Sequence, residues 1–267
     1  MSMLELHENQ YDLIASLGAN CSATHNLIVR GLRKAALPFD WTYVIDERPY
    51  LWMAEHVCDR FRDFCKRENL VEITPDSPEW SDYHYDRVQY VDSGSGFRFV
   101  NHFSRQIDCD GEYDKVHSTL VRRIERFFEM IGKSKKVLFV VATPILISPE
   151  TFSTLHRSFS ASFPNVDFSF AYMRFSIPKD ETLPSYGAET RFIPIERSQN
   201  SYDFTHTNFE WNFMGSLELS GLFVPKEAAP KKNDRLIHIS FDIWPTTTIR
   251  IEVRKKRKTS LDNQSAR

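Results

Sequence analysis

The stretch YDLIASLGANCSATHNLIVRGLRK, Tyr11 to Lys34, decides how the rest of the chain is read. Its first part carries Leu13, Ile14 and Leu17, the make-up of a short buried strand. Gly18 and Asn20 follow, both tolerant of positive φ. Ala23, Leu27, Ile28 and Leu32 then recur at helical spacing. Strand, tight turn and helix in that order lift one side chain off a sheet edge. Here that side chain is Cys21. It reads either as a small apolar core residue or as a nucleophile whose thiol the start of a helix makes more acidic.

Downstream, Pro38 in LPFDWTY breaks the first helix, and Leu51, Met53, Val57, Phe61 and Phe64 predict a second over 49–70. Residues 72–110 read as irregular, with a turn at DSGSGF, and no helix pattern follows it as a phosphate loop requires. FRFVNHF then alternates as a strand ending near His102. Val116, Leu120, Ile124, Phe127, Phe128 and Ile131 line one face of a helix over 113–131, with Gly132 as its expected stop. KKVLFVVA is a strand of the kind buried on both faces of a parallel sheet. A helix over 149–162 and strands over 166–175 and 190–196 complete the pattern. The expected fold is α/β, a mainly parallel central sheet flanked by helices, over a domain of residues 1–225.

From residue 226 the composition shifts. PKEAAPKKNDR reads as a linker, and LIHISFDIW and TIRIEVRKK as a small β-hairpin. KKRKTSLDNQSAR reads as a polar, disordered tail. Residues 226–267 thus form a basic C-terminal extension. Its RKKRK run is a solvated end or a contact for an acidic partner or a membrane surface.

A net charge of −2 over 267 residues gives no whole-chain attraction to nucleic acid, and 21 phenylalanines supply a large aromatic core. No apolar run is long enough for a transmembrane segment, and MSMLELHENQ does not read as a secretory leader. Cys21, Cys58, Cys65 and Cys109 lack the paired spacing of a metal site, so no metal is expected. Free thiols in a reducing cytoplasm are the simplest reading.

A cysteine nucleophile needs a neighbouring base, commonly histidine. His102 ends an apolar strand among aromatics, whereas His25 lies one helical turn after Cys21. Asp40 in PFDW either contacts the site or caps backbone amides in a turn. Arg122, Arg123 and Arg126 either bind a phosphate or carboxylate or form a solvated helix face. The aromatics of DFTHTNFEWNF suit sugar stacking or core packing equally.

The blocks Ser16-Leu17-Gly18, Cys21, Leu32-Arg33 and Pro38-Phe39-Asp40-Trp41 resemble the opening of a bacterial domain family of papain-like cysteine peptidases. Looser similarity continues through His102, Arg122-Arg123-Ile124, Arg126-Phe127 and Lys136 to Val140, so that it spans roughly 11–215. The resemblance implies a Cys21–His102 pair hydrolysing a peptide or ester. Where the family has His-Asp-Phe, this chain has His102-Phe103-Ser104. The third member is therefore open, with Asp108 and Asp110 as candidates. GANCS is also similar to the Gly-Asn-Cys-Gln motif of capsule-polysaccharide acetyltransferases. That similarity implies acetyl-CoA as co-substrate and a glycan acceptor, with Asn20 and the amides from Ser22 onward facing an oxyanion and Arg123 on the coenzyme phosphates. Outside both enzyme readings stands a non-catalytic binding protein in which Cys21 only packs.

Overall fold

KVLFVVAT, Lys136–Thr143, is the strand around which the fold is arranged; every residue after Lys136 is buried. The computed structural model describes residues 10–19, 21–77, 86–175, 177–178, 180–195, 218–219, 240–243 and 247–250. In chain order its strands are β1 (Gln10–Tyr11), β2 (Leu13–Ser16), β3 (Leu70–Ile73), β4 (Val88–Asp92), β5 (Arg98–Phe103), β6 (Lys136–Thr143), β7 (Asp167–Phe175), β8 (Thr190–Ile195), β9 (Glu218–Leu219), β10 (Ser240–Ile243) and β11 (Thr247–Arg250). Its α-helices are α1 (Cys21–Val29), α2 (Arg48–His56), α3 (Glu112–Lys133) and α4 (Pro149–Ser162).

The main sheet runs β2-β6-β7-β8, and every pairing in it is parallel. A second sheet, β3-β4-β5, is antiparallel. This is the α/β architecture expected from the alternation of helices and apolar strands. Because strand side chains alternate between faces, the main sheet separates two cores. Leu13, Ala15, Val137, Phe139, Val141, Phe168, Phe170 and Tyr172 face one side, packed with the apolar stripe of α3 and with Phe152, Leu155 and Phe159 of α4. Ile14, Leu138, Val140, Ala142, Ala171 and Met173 face the other, under Ala23 and Leu27 of α1. Phe39 ties the antiparallel sheet into the larger core, its ring 5.2–5.7 Å from those of Phe61, Phe64, Phe97 and Phe127.

Three expectations change. The helix predicted over 49–70 stops at His56. Arg60, Phe61 and Cys65 take φ values of 60°, 53° and 58°, which no helix tolerates, and these turns drive Phe61, Phe64 and Cys65 into the core. Gly132 does not end α3, which continues to Lys133 and stops at Ser134 in extended backbone. The stretch 72–110 holds β4 and the end of β3. β3 is a short edge strand with Val71 exposed, so its pattern carried little periodicity.

The chain divides into two units, Met1–Phe223 and Val224–Arg267. In the second, β10 and β11 pair antiparallel from Ser240↔Arg250 to Ile243↔Thr247, the hairpin read from the sequence. The expected linker, the basic tail and DFTHTNFEWNF lie outside the described residues.

Candidate active site

Cys21 is the first residue of α1, and the chain reaches it through a turn that few side chains permit. Gly18 and Ala19 have φ values of 88° and 89°. A Cβ on Gly18 would stand 2.5 Å from Thr42 Oγ1, so glycine is required there by both conformation and space. Gly18 N donates to Ser16 Oγ and Val44 N to Ala19 O, which pins the turn to the strand before it and to the segment that follows PFDW.

This turn lies at the carboxyl end of β2, beside β6. The helices that follow these neighbouring strands leave to opposite faces, α1 over one core and α4 over the other. In open parallel sheets, ligands bind at such a switch point.

The sulfur of Cys21 lies 2.8 Å from Tyr43 Oη, a hydrogen bond in which either atom can donate. Burial pushes the thiol up to about 11; the Tyr43 bond and the Cys21 backbone amide oppose it but do not win. The acidified thiol expected from a helix start is therefore not the resting state. Desolvation of the charged form outweighs the helix amides here. For His25, burial, aided by Arg30, pulls the pKa below the ordinary histidine value.

His102 lies near the end of β5, its ring edge-on to Phe99 at 5.2 Å, with both ring nitrogens shielded from solvent. It lines a cavity of about 520 Å³ together with Trp41, Arg87, Asn101, Lys115, Val116, Thr119, Leu120 and Arg123. Cys21 is not among these lining residues. Two links join the halves. Tyr43, the partner of the sulfur, bridges to Arg98 on β5, four residues or roughly 13 Å of strand before His102. Trp41 of the cavity lies two residues before Tyr43.

The remaining candidates fall into place as follows. Asp40 is buried and saturated: Thr24 Oγ1 donates to one oxygen, while Arg33 and Leu37 N donate to the other. It caps its turn and holds α1 to PFDW. Asp108 is 83% exposed and ion-pairs with Arg67. Ser22 is buried, and its carbonyl accepts from Asn26 Nδ2. Asn20 lies outside the described residues.

The arginine trio separates. Arg122 bonds Thr119 Oγ1, Arg126 bonds Ala36 O, and Arg123 faces the cavity. Tyr43, Arg87 and Lys115 were not singled out from the sequence, and Trp41 entered only within the PFDW block. Lys115, Thr119 and Arg123, spaced four residues apart, form a stripe on α3 beside Val116 and Leu120, a signal that helical spacing contained. Among the described residues no cluster of side chains could hold a metal ion, and no helix is long and apolar enough to cross a membrane.

Residues 12–146, half of the chain, match the model of the family described as "Putative papain-like cysteine peptidase (DUF1796)". The chain is also 27% identical over 135 residues to "Uncharacterized protein R408" of Acanthamoeba polyphaga mimivirus, covering 48% of this chain and 60% of that protein. It thus spans less than two thirds of that relative's length. This relative is viral, so it does not support the expected bacterial setting, and neither match is to an acetyltransferase. No solved structure matches the chain.

Proposed function

The chain belongs to the family described as putative papain-like cysteine peptidases, and from that premise we propose that it is a cysteine-dependent hydrolase acting through Cys21 and His102. The observation that carries this reading is the placement of Cys21. It is the first residue of α1, behind a turn of two positive-φ residues, at the switch point of a parallel sheet.

The resting thiol is neutral. With a pKa near 11, about one sulfur in 10⁴ is ionised at neutral pH. The proton must therefore leave as the sulfur attacks, which calls for general-base catalysis rather than a standing thiolate–imidazolium pair. The sulfur forms a bond to the acyl carbon of a peptide or ester, and His102 takes the thiol proton. The imidazolium returns it to the departing amine or alkoxide as the carbon–heteroatom bond breaks. Water, deprotonated by the same imidazole, then cleaves the thioester and restores the thiol. Tyr43 Oη, already on the sulfur, keeps the thiol oriented between turnovers.

The test is ester hydrolysis with p-nitrophenyl acetate, with mass spectrometry for the acyl-enzyme. Cys21→Ser and His102→Ala are each expected to lower kcat by about 10³-fold or more, and the acetyl adduct should map to Cys21. Hydrolysis that survives Cys21→Ser, or an adduct on Cys58 or Cys109 alone, would overturn the reading.

A further inference from the structure

The cavity that holds His102 carries an imbalance of charge. Arg87, Lys115 and Arg123 line it with His102, and no aspartate or glutamate is among the described lining residues. Arg123 is half-buried, and among the described residues it makes no hydrogen bond or ion pair. Burial pulls its pKa down; Asp40 resists this, while Arg33, Arg126 and Arg122 add to it. Asp40 acts on Arg123 through space without an ion-pair contact, its oxygens accepting from Thr24, Arg33 and Leu37 N. Lys115 has Glu112 Oε2 at 3.9 Å, while the other oxygen of Glu112 accepts two hydrogen bonds from Ser104. Among the described residues, Arg87 pairs with its sequence neighbour Asp86 at 3.5 Å. A partly desolvated guanidinium with no carboxylate in contact is costly, and an anion from solution offsets that cost.

The other lining is apolar. Val116 and Leu120 are buried side chains of α3, and Trp41 is half-exposed in a left-handed backbone conformation with φ 67°. At about 520 Å³ the cavity has the size of a small-molecule site, well beyond a bare inorganic ion.

We propose that this cavity binds a phosphate ester, its dianionic phosphoryl group held by Arg87, Lys115 and Arg123 and its organic part lying against Trp41, Val116 and Leu120. Three cations match a dianion better than a single carboxylate, and guanidinium forks suit phosphoryl oxygens. Calling this ligand the substrate, or part of it, rests on the assignment of Cys21 and His102; its binding does not.

The test is calorimetric titration of the full chain with phenyl phosphate, benzoate and benzyl alcohol in phosphate-free buffer. Phenyl phosphate should bind, benzoate about tenfold more weakly or less, and benzyl alcohol not measurably. Arg123→Gln should weaken phenyl phosphate by about tenfold or more, and Lys115→Gln, at a largely exposed position that spares folding, by a smaller factor. Cys21→Ser should bind as the wild type does, which separates this site from the catalytic reading even if that variant keeps its esterase activity. Equal affinity for benzoate and phenyl phosphate would overturn the dianion. Unchanged binding in both the Arg123 and Lys115 variants, or no binding at millimolar ligand, would overturn the site.

Discussion

The turn that carries Cys21 and the cavity that holds His102 are built from opposite materials. Around Cys21 the chain is closely held: Leu17 and Ala19 are buried, and the sulfur is hydrogen-bonded to Tyr43. Asp40, which is tied to α1 through Thr24, is ion-paired inside the structure with Arg33. The cavity, by contrast, gathers Arg87, Lys115 and Arg123 with no acid among its described lining residues. Burial keeps the sulfur protonated on one side, while cations line the other. In the reading proposed here the first region supplies the bond-forming atom and the second supplies substrate binding and the proton acceptor. One Trp-Thr-Tyr segment, Trp41 to Tyr43, serves both.

The comparison can be broken most forcefully at Asp40. Its carboxylate joins α1, through Thr24, to Arg33 and the PFDW turn, and it is 1% exposed. Asp40→Ala leaves Arg33 and the Leu37 amide without their acceptor and should destabilise by about 4 kcal/mol in urea unfolding. A loss below about 1 kcal/mol would mean that the turn does not depend on this internal ion pair.

Gly18 offers the next effect. Gly18→Ala combines a φ of 88° with a 2.5 Å approach to the buried Thr42 Oγ1, and a cost of about 3 kcal/mol is expected by thermal or chemical unfolding. If the variant matches the wild type in stability, the turn is not held as rigidly as its geometry implies.

The smallest effects are in thiol reactivity, where the contrast is sharpest. A pKa near 11, against an ordinary 9.0, means about a hundredfold less thiolate for Cys21 below pH 9 than for an ordinary exposed thiol. Iodoacetamide should therefore label the exposed Cys58 and Cys109 first at neutral pH, with the Cys21 rate climbing until the pH passes about 11. Tyr43→Phe removes a hydrogen bond that favours the thiolate, so it should slow Cys21 labelling several-fold further. Labelling of Cys21 ahead of Cys58 and Cys109 at pH 7 would show that the turn is not the closely held region described.

The parts of this molecule that the sequence by itself determined are those where one local pattern dominates. The all-buried run of β6 buries both its faces, and the apolar stripe of α3 and the Pro-initiated α4 with its Ser148 cap bury one face each. The strand–turn–helix at Cys21 was legible for the same reason, since a glycine at a crowded positive-φ position leaves its mark on the chain. What only the tertiary structure decided is where competing demands were settled between distant residues. Phe61 and Phe64 continue a helical period, yet the aromatic core around Phe39 takes them out of a helix. A helix-start cysteine suggests an acidic thiol, yet burial of the sulfur by its surroundings raises the pKa, and the opposing Tyr43 hydrogen bond does not undo it. Arg122, Arg123 and Arg126 are alike in sequence, and only the position of β5 and Trp41 against α3 singles out Arg123 for the cavity. Periodicity records which face of an element is buried; desolvation and charge balance depend on every neighbour within a few ångströms, and the fold brings those neighbours from far along the chain.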